Sequence, residues 1–253
     1  MRSALLICSL LGVFIAAWLS HPPHVLAPFA QASPNTSKVA TAPQYSSRFV
    51  SSQLTDFVHS SSVTALPGGD LMAVWFAGSR EGAADVQVRT ARFDARSGEW
   101  GAEQVLATRE STRDGTQRYI RKLGNPVIAL GPDKRLWMFY VSVSVGGWAT
   151  SAINVMVSED LGANWSAPRQ LVTSPFFNIS TLVRAAPVFH ADGSIGLPVY
   201  HEFMGKFAEY LYLSADGAVI DKFRISRGKH SLQPTIVPQD GQRAVAMLRY
   251  AGE

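Results

Sequence analysis

Cysteine is almost missing from this sequence: among 253 residues only Cys8 carries a thiol. A lone thiol forms no disulfide within the chain. Its place in the apolar N-terminal run leaves the remaining residues without a Cys nucleophile or a Cys ligand for zinc. Charge is also sparse, at 17% of residues, with a net value of +4. Lys and Arg are spread along the chain with no basic stripe and no basic–aromatic interleaving, so nucleic acid is not an expected partner. The small positive excess suits an anionic glycan and equally suits ordinary solubility. Beyond the N-terminus no long stretch repeats its apolar positions every ~3.6 residues, so little helix is expected. No pattern implies a metal or an organic cofactor.

At the N-terminus Arg2 precedes an uncharged, mostly apolar run from Ala4 to Leu19. That length fits the hydrophobic region of a secretory signal and is short for a membrane span. Ala30-Gln31-Ala32 offers a small-x-small cleavage site. Residues 1–32 therefore read as a signal peptide or an N-terminal membrane anchor. Residues 33–47, rich in Pro, Ser, Ala and Thr, read as a linker, and 48–253 as the folded domain, incomplete at its C-terminal end. The expected location is secreted or periplasmic, with anchoring to the cytoplasmic membrane as the alternative.

What the chain does have is a repeat. An apolar strand, a tight polar turn and a second apolar strand recur at Val63–Phe76, Val127–Tyr140, Val188–Tyr200 and Thr235–Leu248. Further alternating segments follow the first three copies, at Val86–Phe93, Ile153–Val157, and Glu209–Leu213 with Val219–Ile225. Apolar–polar alternation is the period of a half-buried strand, and Gly68-Gly69, Asp192-Gly193, Asp216-Gly217 and Asp240-Gly241 sit where strands must reverse. Repeated four-stranded units of this kind are blades of a β-propeller. The fold class is all-β, with about three and a half blades in this chain. Strands of separate blades converge on one axis, so distant residues can meet in one pocket. Trp75, Trp137, Trp148 and Trp165 read as core or inter-blade packing rather than as sugar platforms.

One turn carries a stronger signature. Ser158-Glu159-Asp160-Leu161-Gly162-Ala163-Asn164-Trp165 has an Asp that can accept amides across the turn, a Gly free to adopt positive φ, and a Trp that covers the blade edge. It resembles the Asp-box, and Asp94–Trp100 and Ser214–Gly217 resemble worn copies. From His59 to Arg249 the chain is similar to the sialidase superfamily, in its divergent branch of bacterial BNR-repeat proteins. The resemblance implies a sialidase-type propeller, six-bladed when complete, and exo-acting hydrolysis of a terminal acidic sugar of sialic-acid type. It implies a glycan partner. The alternatives are a glycan-binding propeller without turnover and a glycan lyase with His59 as base.

The resemblance also assigns residues. Family members clamp the sugar carboxylate with arginines and use a Tyr nucleophile, a Glu that takes its proton and an Asp acid. Arg80, in Gly78-Ser79-Arg80-Glu81-Gly82, matches a first-blade Arg, and Arg249 matches a clamping Arg. Either Glu81 or Asp85 stands as the acid, and Asp85 also fits a strand-start cap. The opening Arg-Ile-Pro motif is absent, and His59 stands at its Arg. Gln233 stands where the family has Glu. Glu202 follows the second strand of blade three as Arg80 follows that of blade one. Asn125 begins blade two and Arg184 precedes blade three, so all three are candidate substrate contacts at the same mouth.

Overall fold

Where the hairpin turns were read, the backbone reverses. Gly68 and Gly69 take φ of 84° and 92°, Gly193 takes 84° and Gly217 takes 79°. The computed structural model describes residues 2–20, 24–30, 45–51, 57–174 and 178–252.

The first sheet is built from β1 (Phe57–Ala65), β2 (Leu71–Gly78), β3 (Gln87–Asp94) and β4 (Glu99–Trp100), with β5 (Gln104–Ala107) also on β3. After a helix, α2 (Arg109–Thr116), the second sheet runs β6 (Lys122–Leu130), β7 (Leu136–Val143), β8 (Ser151–Ser158) and β9 (Arg169–Gln170). In the third, β10 (Leu182–Val183) and β11 (Val188–Phe189) share the role of inner strand against β12 (Ile195–His201), followed by β13 (Phe207–Leu213) and β14 (Val219–Arg224). The fourth is the hairpin β15 (Ser231–Pro238) and β16 (Ala244–Tyr250). Every pairing within these sheets is antiparallel. The expected blades and their order are therefore present. Helix α2 was not expected; it starts on a capping box in which Thr108 and Ser111 bond each other's amides, so local hydrogen bonding holds it without a long apolar stripe.

Packing between sheets follows the alternation. Phe76, Val88, Leu123, Ile128 and Met138 fill the space between blades one and two. Trp137, Phe139, Leu182, Leu197 and Leu211 fill that between blades two and three. Trp75 and Trp137 are buried, in line with their reading as core. The N-terminal run forms helix α1 (Arg2–Ser20). Among the described residues, no helix is long and apolar enough to cross a membrane. Residues 24–30, which the sequence reading grouped with the leader, lie on the propeller, with Leu26 and Phe29 against Val188, Tyr210 and Tyr212. Most of the expected linker, 31–44, lies outside the described residues.

All turns at one end of the blades are tied by aspartates. In the Asp-box, Asp160 accepts the Asn164 amide at 2.8 Å, and Ser158 Oγ accepts the Gly162 amide at 2.8 Å. The backbone and side chain of Asn164, then Ser158, hold the Asp160 carboxyl down at about 2. A Cβ on Gly162 would strike Met72 Cε at 2.3 Å, so this turn also sets how closely blade two approaches blade one.

Two predictions follow from this architecture. Strand β16 is exposed along its whole length, including Val245, Met247 and Tyr250. An open apolar edge templates pairing with another chain. The 253-residue chain should self-associate in analytical ultracentrifugation, and Val245→Lys with Met247→Glu should shift it to monomer. The Asp160 carboxyl is lowered on folding, so its contribution is present above the ordinary Asp range and is lost as pH falls toward 2. Denaturant titrations should show a smaller acid-induced loss of stability in Asp160→Ala than in the parent.

Candidate functional site

The inner strands carry the same irregularity at the same step. The β1–β2 register slips between His59 and Ser62, the β6–β7 register between Gly124 and Val127, and the β15–β16 register between Leu232 and Thr235. In each slip one non-glycine residue is left-handed: Ser60 at φ 58°, Asn125 at 46° and Gln233 at 50°. Such a β-bulge re-aims one side chain out of the strand's alternation. In blade three the inner strand breaks at the same step, between Val183 and Val188, and Arg184 lies in the break.

These bulges bring four side chains from four blades together. Ser60 Oγ donates to Asn125 Oδ1 at 3.2 Å, and Asn125 Nδ2 donates to the Tyr200 hydroxyl at 3.3 Å. Gln233 hydrogen-bonds to the same hydroxyl. Tyr200 is 2% exposed and forms the hub of this ring. Burial, then the charge of Glu202, pushes its phenol up to about 12, against Gln233, Arg184 and Asn125. It is a neutral phenol across the physiological range.

Glu202 sits above the hub, with its amide held by Ser180 Oγ at 2.8 Å. Burial raises its carboxyl above the ordinary value, against the pull of Lys206 and Arg249. Arg184 reaches across to blade one, where Nη1 donates to the Ser61 carbonyl at 3.4 Å. It shares a groove of about 440 Å³ with His59, Ser60 and Trp75. His59 is exposed in that groove, its ring 5.6 Å from Phe76. His201 is buried, stacked on Phe207 at 4.6 Å, and burial lowers its pKa, so it braces the Glu202 turn as a neutral ring.

Asn125, Arg184 and Glu202 thus act on Tyr200, and Arg249 acts on Glu202. The first-blade loop forms a separate cluster at the same end of the blades. There Asp85 accepts the Ser79 amide at 2.9 Å and its hydroxyl at 3.0 Å. Partial desolvation favours the protonated form of Asp85, but the Ser79 bonds and the charge of Arg80 outweigh it and hold the carboxyl below its ordinary value. This is the capping geometry that the sequence left open. Arg80 and Glu81 are exposed on the rim. Glu81 acts electrostatically on Lys122, which burial depresses and which lies 3.8 Å over the half-buried Trp148 ring. Among the described residues no group of three or more His, Cys, Asp or Glu is arranged to hold a metal.

Sequence reasoning missed Ser60 and Tyr200 as parts of the site and placed Gln233 only by resemblance. A signal was present: Pro126, Pro187 and Pro234 stand at one step of three inner strands. Proline cannot donate to a ladder, so a recurring strand Pro marks a bulge.

Among solved structures the chain is similar to a Hadza microbial sialidase, at 13% identity and TM-score 0.61, over 78% of this chain and 42% of that one. It is similar to a leech intramolecular trans-sialidase, at 11% identity and TM-score 0.61, over 83% and 50% of the two chains. It is also similar to an α-L-arabinanase of Penicillium chrysogenum, at 15% identity and TM-score 0.51, over 71% and 53%. At these identities the likeness is one of fold, and the chain spans about half the length of the proteins it matches. A comparison with curated protein sequences gives no match. The model of the BNR repeat-like domain matches residues 69–253, the greater part of the chain and all four blades from the first hairpin turn onward. The chain is therefore a divergent member of the sialidase-like BNR repeat family.

Proposed function

We propose that the axial mouth is a glycan site and that the chain belongs to an exo-glycosidase that releases a terminal acidic sugar of sialic-acid type. One observation carries this reading: the carboxyl of raised proton affinity, Glu202, stands in electrostatic reach of Arg249 and Tyr200, and Arg184 acts on the same Tyr. An acidic sugar gives each part a task. Arg184 and Arg249 match its carboxylate with charge-assisted hydrogen bonds. Glu202, protonated in mild acid, gives its proton to the glycosidic oxygen as the C–O bond breaks; water adds its oxygen to the anomeric carbon, and the proton it releases restores the carboxylic acid. Asn125 and the Tyr200 ring fix the floor beneath it. Arg80, Glu81 and Lys122 stand on the rim, where the rest of the glycan would lie. Asp85 serves the loop through Ser79 rather than the sugar. The leader fits a secreted or periplasmic setting, where such glycans are met.

A second reading is a glycan-binding propeller without turnover. Gln233 favours it: its neutral amide bonds to Tyr200 where the family has a proton-accepting Glu.

Hydrolysis of fluorogenic acidic glycosides by the full-length protein separates the two. Glu202→Gln should lower kcat by about a hundredfold or more, the usual size of a general-acid contribution. Asp85→Asn should cost far less. Because Glu202 acts in its protonated form, kcat/KM should fall as pH rises through its raised pKa, and this limb should vanish in Glu202→Gln. Retention of acidic glycans without release would support binding alone. Tyr200→Phe leaves Asn125 and Gln233 without their shared hydroxyl, and should cost about 1 kcal/mol of stability in urea unfolding.

A further inference from the structure

Residues 24–30 stand apart from the axial mouth and are woven into the opposite end of the propeller. Phe29 donates its amide to the Gly241 carbonyl at 2.9 Å, and Ala30 donates to Phe189 at 2.8 Å. Ala191 returns a bond to the Pro28 carbonyl at 2.8 Å. The segment therefore ties the turn of blade three to the turn of blade four. Its side chains are also engaged. Phe29 stacks on His190 with centroids 4.9 Å apart, and Leu26 joins the cluster of Val188, Tyr210 and Tyr212.

His190 shows what the segment is for. It is 1% exposed, and its Nδ1 lies 2.6 Å from the Ala27 carbonyl. A carbonyl has no proton to give, so Nδ1 carries the hydrogen. In the neutral ring Nε2 then accepts from the Tyr210 hydroxyl, at 2.8 Å. Without residues 24–30 a buried N–H would lose its acceptor and an aromatic cluster would lose its cover, both unfavourable.

The small-x-small site at Ala30-Gln31-Ala32 would remove this segment if it were cut. No other small-x-small pair lies between the end of the apolar run at Leu19 and His24, where Trp18, Leu19, His21, Pro22 and Pro23 fill the required positions. We propose that residues 24–30 are a retained strap across blades three and four, and that the chain is not cleaved at Ala32. Helix α1 then stays joined to the propeller at the turn end, opposite the mouth that holds Glu202.

The test starts with the 253-residue chain exported in a bacterial host and analysed by intact mass and N-terminal sequencing. The strap predicts a product that still contains His24 and everything after it; a product beginning at Ser33 overturns it. A second measurement compares chains beginning at His24 and at Ser33. The longer should melt at higher temperature and should protect the Ala191 amide from hydrogen exchange at least about tenfold more, since that amide bonds to Pro28. Equal melting and equal protection would reject the strap. In the full chain, Phe29→Ala and His190→Ala should be non-additive in their effect on unfolding, as expected of residues in direct contact. Strict additivity counts against it.

Discussion

The inner strand of each blade pairs on one side only, and an extra residue there is taken up by a bulge that re-aims one side chain out of the strand's alternation. This constraint organises the site. Ser60, Asn125 and Gln233 occupy three such bulges, each with positive φ, and the break around Arg184 supplies the fourth. Left-handed backbone at a non-glycine residue is unfavourable and persists where the surroundings hold it. Here the ladders on both sides of each slip resume full register, and Pro126 and Pro234 follow two of the three residues. The ring around Tyr200 is thus a product of backbone geometry first and of side-chain chemistry second.

The two ends of the blades divide the work. At the turn end aspartates are absorbed in local hydrogen bonds: Asp70 with Ala95, Asp160 with Asn164, Asp192 with Ser194, Asp240 with Gln242. Their charges hold turns closed. At the other end Arg80, Arg184 and Arg249 are held by no ion pair among the described residues, while Glu202 is desolvated. Cations are therefore left available where the blades converge, and carboxylates are engaged where they turn. This end of the propeller thus presents cations outside any ion pair beside a carboxyl whose proton affinity burial raises.

The blades were legible because alternation and turn chemistry are local. Gly68-Gly69, Asp216-Gly217 and the Ser158–Trp165 turn each announce themselves within a few residues. Counting from strand ends grouped Glu202, Asn125 and Arg184 at equivalent positions of repeated sheets, and in the folded chain all three act on Tyr200. Tyr200 was not found, because its importance comes from partners 75 residues away in one direction and in the next blade in the other. The Ser79 bonds that engage Asp85 and the burial that raises the Glu202 carboxyl likewise exist only in the folded chain. Helix α2 hid for a different reason. Its only inward residue is Thr112, bonded to Tyr140, so it shows no apolar stripe.

The ring has a consequence for how such a protein can change. Blades one, two and four each lend one side chain through a bulge that their own strand pairs secure, and blade three lends Tyr200 from a regular strand. Exchanging the residue at Asn125 or Gln233 leaves the neighbouring ladders intact and rewrites a single quarter of the floor. The floor can therefore change by one contact at a time, within the residue types that a left-handed backbone accepts.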